Sequence, residues 1–405
     1  MMKEEFFQNE LLSLKQTGLY RTLRRIEGEQ GPTLVLDGRE VINFSSNNYL
    51  GIANHPALCE AAKAAIDRYG CGSGASRLIS GNMALHEELE NRLAEFKGTQ
   101  AALVFNSGFQ ANTGIIPALV GRDDFVFSDS LNHASIIDGC RLARAKAIVY
   151  EHCDMDQLER GLREAPSRCR KLIVTESLFS MDGDEAPLAD IVALAERYGA
   201  AVMVDEAHAT GVYEPDGAGL VAKHGLGERV MIQMGTLGKA LGGFGAYVAG
   251  SRALSEFLIN RCRSFIFTTS LPPVVMSMAM AAIDLVRREP ERRQTLRRNC
   301  AALRDGLKKL GFILGESQSQ ILPLIVGEAG ACMKLSEELL SRGIFAQGIR
   351  PPTVPQGTSR LRITLMATHT DEHIRRALQV FEEAGAASAR SGAGFKGHSG
   401  QAGAS

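Results

Sequence analysis

Short apolar runs alternate with amphipathic stretches through the middle of the chain. The runs lie at 102–105, 125–127, 147–150, 172–175, 201–204, 230–234 and 245–249. Continuous apolar strands separated by helices indicate a parallel sheet buried on both faces. Before them, the pattern predicts a helix over Glu4–Gln16 that carries Phe6, Leu11, Leu12 and Leu14. A short strand over 41–44 follows, then a helix over Pro56–Tyr69 with proline in its first turn. Beyond Leu271-Pro272-Pro273 the texture changes. A long helical region over 274–310 leads to apolar runs at 321–326, 344–349 and 361–365, interleaved with helices. The expected fold class is therefore α/β. A large domain over 51–275 has a mainly parallel sheet covered by helices. A smaller α+β domain spans 276–384 and is completed by an N-terminal segment, 1–50. A disordered, Gly-rich tail is expected over 385–405.

Composition narrows the function classes. The 405 residues can bury a large core without disulfide staples. Lys and Arg together number 45 and Asp and Glu 46, a net charge of −1, which argues against a nucleic-acid binder. No window approaches the roughly 18 apolar residues of a membrane span. The first residues, MMKEEFF, lack the basic and apolar flanks of a secretory leader. The 8 cysteines are scattered, with no CxxC pair for zinc or redox work, so the cytoplasm is the expected compartment. Glycine, at 42 residues, is in excess.

Some of those glycines imitate nucleotide motifs. Gly70-Cys71-Gly72-Ser73-Gly74-Ala75 follows a predicted helix rather than a strand, so it is not a dinucleotide fingerprint. Around Gly238-Lys239 a P-loop would need glycine at Gln233 and Ser or Thr at Ala240. Lys239 instead sits among small and apolar residues after a strand. Desolvation there disfavours its ammonium form, the setting of an amine that forms a Schiff base. The neighbouring glycines allow close approach of a flat ligand. Asp205 ends another strand, where α/β sheets bind ligands. A carboxylate at that point is what a pyridinium nitrogen requires, and His208 follows three residues on. Phe105-Asn106-Ser107-Gly108-Phe109 ends a strand and opens a helix, a ready phosphate site. His133 starts a further helix, and the stretch from Glu176 to Asp184 follows a further strand.

These residues resemble a family. DEAHATGV around Asp205, GTLGKALGG around Lys239, SLNHASIIDGCR around His133, ESLFSMDGD around Ser180 and FTTSLPP around Thr268 are similar to the pyridoxal-phosphate α-oxoamine synthases. The resemblance runs from about residue 5 to 384. It implies the fold-type I PLP-dependent transferase architecture and a homodimer with active sites at the subunit interface. It also implies that pyridoxal 5'-phosphate is held by Lys239 as a Schiff base. Asp205 would face the ring nitrogen, His208 the ring hydroxyl and His133 the ring face. Ser107, Gly108, Phe109, Glu176, Ser180 and Thr236 would complete the cofactor site. Thr268 and Thr269 would reach the phosphate of the opposite subunit. Lys239, once released, would shuttle the Cα proton.

Within the family, Arg350-Pro351-Pro352-Thr353-Val354-Pro355 is similar to the branch that condenses L-alanine with pimeloyl-CoA or pimeloyl-ACP. Arg362 would clamp the amino-acid carboxylate, assisted by Asn47, and Arg21 and Thr353 would contact the acyl chain. No metal is implied. Two departures stand out: Cys153 occupies the Asn of a family His-Asn-Asp, and Asn48 stands where many members carry Asp. The competing readings are a sister condensing enzyme using glycine or serine, an aminotransferase or lyase on the same scaffold, and a non-catalytic protein that keeps the fold.

Overall fold

The computed structural model describes residues 4–213 and 216–390. Its centre is a seven-stranded sheet in the order Ala101–Phe105, Ala246–Gly250, Ile232–Thr236, Ala201–Asp205, Lys171–Glu176, Phe125–Asp129 and Lys146–Tyr150. All neighbours are parallel except those of Ala246–Gly250, which runs antiparallel to both strands beside it. The reason is local. The loop from Leu237 to Gly245 is too short for the crossover that a parallel return needs.

Alternate residues of each strand enter different cores. Leu103, Val126, Leu172, Val174 and Met203 pack on one face, against Ile115, Ile116 and Ile136. Ala102, Val104, Phe127, Ile173, Val202 and Val204 pack on the other, against Leu89, Leu93 and Ile283. Both faces are therefore dry, which is why the strands read as unbroken apolar runs.

The C-terminal part forms a three-stranded antiparallel sheet of Ile321–Gly327, Ser359–Thr364 and Gln347–Ile349. The run at 344–349, expected as one strand, divides at the buried Ala346. Ile344–Phe345 turns away and pairs with Arg39–Asn43 in a second sheet containing Thr33–Leu36 and Ile26–Glu27. Side chains enforce the division. Ser45 Oγ accepts from Gln347 N at 2.9 Å, and Ser336 Oγ donates to Ala346 O at 2.7 Å. The helical region at 274–310 is likewise two helices, Pro273–Arg288 and Glu291–Lys309, broken around Pro290. The last helix, Asp371–Arg390, continues past Gly385, where the sequence suggests a tail. The rest of that tail lies outside the described residues.

The helix Glu4–Gln16 buries none of its residues in a single chain. Among the described residues, no helix is long and apolar enough to cross a membrane.

One buried ion pair ties this frame to the strand ends. Lys97, the last residue of helix Ala84–Lys97, donates to Glu206 Oε2 and to the Ala218 carbonyl. Both side chains are fully inaccessible, and Glu206 Oε1 accepts from Val221 N at 2.9 Å. Lys97→Met strands a carboxylate in the core and is expected to destabilise the protein by about 3–5 kcal/mol. Lys97→Met/Glu206→Gln removes that charge and is expected to recover most of the loss. Urea-unfolding midpoints of the three proteins check this.

Candidate active site

The carboxyl ends of five strands meet at one side of the sheet. Asp205 ends the strand Ala201–Asp205. Its Oδ1 accepts from Ala207 N at 2.9 Å and its Oδ2 from Asn112 Nδ2 at 2.9 Å. Asn112 lies on helix Gly108–Leu119 and also donates to Ser135 Oγ at 2.9 Å. Ser135 Oγ lies 2.8 Å from His133 Nδ1, so the start of helix Ala134–Ala143 is tied to the same carboxylate.

Lys239 Nζ lies 2.7 Å from His208 Nε2, and His208 Nδ1 lies 2.6 Å from Tyr49 Oη. Tyr49 donates to Asn47 Oδ1 at 3.1 Å. Arg362 donates from Nη1 to Asn47 Oδ1 at 3.1 Å, from Nη2 to Tyr49 Oη at 3.5 Å and from Nε to the Ser180 carbonyl at 2.5 Å. The result is a hydrogen-bonded row from the lysine amine to an arginine fork, buried at His208, Tyr49 and Arg362 and half-buried at Lys239 and Asn47. An ammonium at Lys239 can only donate to His208 Nε2, so the neutral ring carries its proton on Nδ1 and donates to Tyr49 Oη, whose own proton goes to Asn47. The Nε2 lone pair is then left for Lys239.

Burial sets the charges along this row. It pulls the Lys239 ammonium down to about 8, even though the Asp205 carboxylate favours the cation. It also pushes the His208 imidazole well below its ordinary range, helped by the Lys239 and Arg362 cations, so the ring is neutral at pH 7. His133 is lowered by burial as well, against the pull of Asp205. Glu176 moves the other way. Burial first, and Asp205 second, raise its carboxyl to about 8, so it keeps its proton.

Beside this row is an anion cradle. Ser107 caps helix Gly108–Leu119 by accepting from Gln110 N at 3.2 Å, which leaves the Gly108 and Phe109 N–H groups at the open end. Thr236 Oγ1 is buried there without a hydrogen-bond partner. A Cβ on Gly108 would come within 2.9 Å of the Thr236 methyl, so the two segments touch. An orphaned hydroxyl beside free helix N–H groups fits a phosphate. The lysine and the fixed carboxylate fit an aldehyde and a ring nitrogen. The residues present thus fit pyridoxal phosphate. Thr268 and Thr269 sit behind this end of the sheet, where Asn106 Nδ2 donates to Thr268 Oγ1 at 3.2 Å and to Thr269 O at 2.8 Å.

Two cavities lie near the row, the first of them bordered by Ser180, whose carbonyl accepts from Arg362. Ser180, His133, Pro352, Thr353 and Val354 line a space of about 540 Å³. Arg21, Thr353 and Arg350 line a neighbouring groove of about 400 Å³, so Thr353 stands between the two.

Two of the glycines around Lys239, Gly235 and Gly242, have a different explanation from the one the sequence suggests. A Cβ on Gly235 would meet Tyr247 Oη at 2.4 Å, and one on Gly242 would meet Ala53 N at 2.7 Å. Protein rather than ligand occupies those spaces. Gly70 and Gly74 adopt φ of +78° and +73° in an open loop, with no atom near the missing Cβ.

The two departures also acquire reasons. Asn48 Oδ1 accepts from Ile52 N at 3.0 Å and Ala53 N at 3.3 Å, the work an Asp oxygen would do. Cys153 has φ of +56°, a region that Asn tolerates better than most residues.

Asn112, Tyr49, Ser135 and Gln320 escape a reading of motifs. Gln320 Nε2 donates to the His208 carbonyl at 2.7 Å. For Asn112 a signal exists, since it is a polar residue between the buried apolar Ala111 and Ile115 on one helix.

Comparison with known proteins agrees with the geometry. Residues 39–381 match the family Aminotransferase class I and II. The chain is 57% identical over 379 residues to an 8-amino-7-oxononanoate synthase of Geobacter sulfurreducens, covering 93% of this chain and 97% of that one. A serine palmitoyltransferase from S. paucimobilis, solved with PLP and myriocin bound, superposes with a TM-score of 0.90 at 34% identity, covering 95% and 98% of the two chains. An 8-amino-7-oxononanoate synthase from Francisella tularensis superposes at 0.73 and 28% identity, covering 85% and 97%.

The lowered amine is directly measurable. In cofactor-free protein, acetylation of Lys239 is expected to reach half its maximal rate near pH 8. Below that pH the ammonium form is unreactive. Surface lysines follow near pH 10.4 or so. Peptide mass spectrometry across a pH series reads both; a Lys239 midpoint among the surface lysines refutes the desolvation argument.

Proposed function

The chain belongs to the class I and II aminotransferase family, and we propose that it condenses L-alanine with a pimeloyl thioester to give 8-amino-7-oxononanoate, CO2 and free thiol. The observation that carries this is the hydrogen-bonded row itself. It has a lysine amine lowered to about 8 at one end and an arginine fork at the other, beside a cavity walled by Thr353. The identity with synthases of this name, high along nearly the whole chain, supports the same reading.

Pyridoxal phosphate is the cofactor. Lys239 would hold its aldehyde, Asp205 its ring nitrogen, and His133 and His208 its ring. Gly108, Phe109, Ser107, Ser180 and Thr236 would hold its phosphate end, with Glu176 alongside. When bound, it supplies an electron sink for a carbanion at the amino-acid Cα. The chain's own residues supply the rest. Arg362 fixes the alanine carboxylate through two parallel N–H bonds, with Asn47 holding the fork in place. The free Lys239 amine takes the Cα proton. Neutral His208 accepts from that amine and so keeps its lone pair and proton aligned.

Thr353 and Arg21 hold the acyl thioester, so that the Cα carbon attacks the thioester carbonyl and the C–S bond breaks. The thiol leaves with a proton from solvent, the α-carboxyl departs as CO2, and Lys239 returns to Cα the proton it took. Phe109, Phe244 and Phe267 are exposed around the site in a single chain, as is the whole helix Glu4–Gln16. These apolar surfaces support a homodimer with the site at its interface, where Thr268 and Thr269 would serve the opposite subunit.

The fold similarity to a serine palmitoyltransferase favours a second reading, serine with a long-chain acyl thioester. Purified enzyme supplied with L-alanine and pimeloyl-CoA is expected to release thiol; turnover with glycine or serine but not alanine overturns the first reading. Lys239→Ala is expected to slow that release about 10³-fold or more. Arg362→Lys keeps the charge but loses the planar fork and is expected to raise the alanine KM about tenfold, with a smaller effect on kcat. Steady-state kinetics on both variants decide these points.

A further inference from the structure

His152 bridges two carboxylates outside the groups assigned so far. Its Nδ1 lies 3.0 Å from Asp129 Oδ1 and its Nε2 lies 2.7 Å from Asp184 Oδ2. Its ring packs edge-on against Phe179, with centroids 4.4 Å apart. Each carboxylate stands at the root of one wall of the 540 Å³ cavity. Asp129 ends its strand, and its oxygens also accept from Leu131 N and Cys153 N, both at 2.9 Å. This fixes the turn that leads into His133.

Asp184 closes the turn that carries the other wall. Its carbonyl accepts from Phe179 N at 3.0 Å, and Gly183 N donates to the Phe179 carbonyl at 2.8 Å. Ser180, on this turn, presents its carbonyl to Arg362, and Asp182 pairs with Arg360. Gly183 has φ of +70°, and a Cβ there would meet the Ile321 carbonyl at 2.3 Å. The turn is therefore wedged against strand Ile321–Gly327 on one side and tethered by His152 on the other.

A ring that bonds carboxylates through both nitrogens carries both protons. Burial opposes that charge, but the bonds to Asp129 and Asp184 outweigh it and raise the imidazolium to about 12. Asp129, His152 and Cys153 are close enough to ligate a metal, yet a doubly protonated ring offers it no lone pair.

We propose that His152 is a positioning residue that clamps the two walls of the acyl cavity together and, through the Ser180 carbonyl, sets where Arg362 meets the substrate carboxylate. The proposal rests on the reading of that cavity and of Arg362 given above. His152→Gln in the holoenzyme is the test, since glutamine bonds one carboxylate but cannot span both. The expected result is a rise of about tenfold in the alanine dissociation constant, read from cofactor absorbance, and a similar rise in the pimeloyl-CoA KM. The kcat should stay within about threefold, because Lys239, Asp205 and His208 lie on segments outside both walls. Cofactor affinity should fall by no more than about threefold, since His133 and Ser180 sit on the walls but Lys239, Asp205 and the helix start at Gly108 do not. Hydrogen exchange should quicken over 177–186 and 129–133 but not over 201–208.

Asp184→Asn, which removes one arm at constant size, should give the same pattern more weakly. Wild-type substrate constants, or wild-type exchange over 177–186, overturn the proposal. So does joint loss of alanine and cofactor binding with faster exchange over 201–208, which marks a general fold residue. If the wild type releases no thiol from pimeloyl-CoA with alanine, the functional reading fails instead. The titration and exchange arms then still decide His152, using whichever of alanine, glycine or serine shifts the wild-type spectrum.

Discussion

Burial of both faces of the seven-stranded sheet is the constraint from which the chemistry follows. A dry face makes an unpaired polar group costly, so side chains that must meet a ligand gather at the strand ends and the loops just beyond them. Asp205, Glu176, Asp129, Thr236 and the Asn106–Phe109 turn all sit there. The same burial sets their protonation. Low solvation lowers the Lys239 amine, keeps His208 neutral and keeps a proton on Glu176. The Asp205 carboxylate is held in place there by Asn112 and a backbone N–H.

The site also depends on a second body of structure. Arg362 belongs to strand Ser359–Thr364 of the C-terminal sheet, yet it bonds Asn47 and Tyr49 from the N-terminal part and Ser180 from the turn after the central strand Lys171–Glu176. Three distant stretches of chain thus share one guanidinium. The planar fork makes that sharing possible, because its donors point in fixed and different directions. The buried Lys97–Glu206 pair does comparable work behind the strand ends, holding the segment between Asp205 and His208 against helix Ala84–Lys97.

The glycine excess shows how one composition can have several causes. Gly183 and Gly242 adopt positive φ where a side chain would strike backbone, and Gly235 makes room for Tyr247. Their common property is close packing of the chain on itself. The departures at Asn48 and Cys153 are equally local. An amide oxygen replaces a carboxylate oxygen in one turn, and a cysteine occupies a left-handed position in another.

The sequence by itself determined the strand–helix alternation, because both-faces burial writes itself as unbroken apolar runs. It also determined the groups with chemistry written into their motifs: Lys239, Asp205, His208 and the helix start at Gly108. Local patterns could not show the antiparallel Ala246–Gly250 strand, the division of 344–349 between two sheets, or the partners of Arg362. Each of these depends on which distant segment lies alongside, and hydrophobic periodicity carries no partner information. For the same reason Asn112, Tyr49 and His152 came to light in the tertiary structure. Their roles are hydrogen bonds to residues 23 to 313 positions away, and such distances become contacts when the chain has folded.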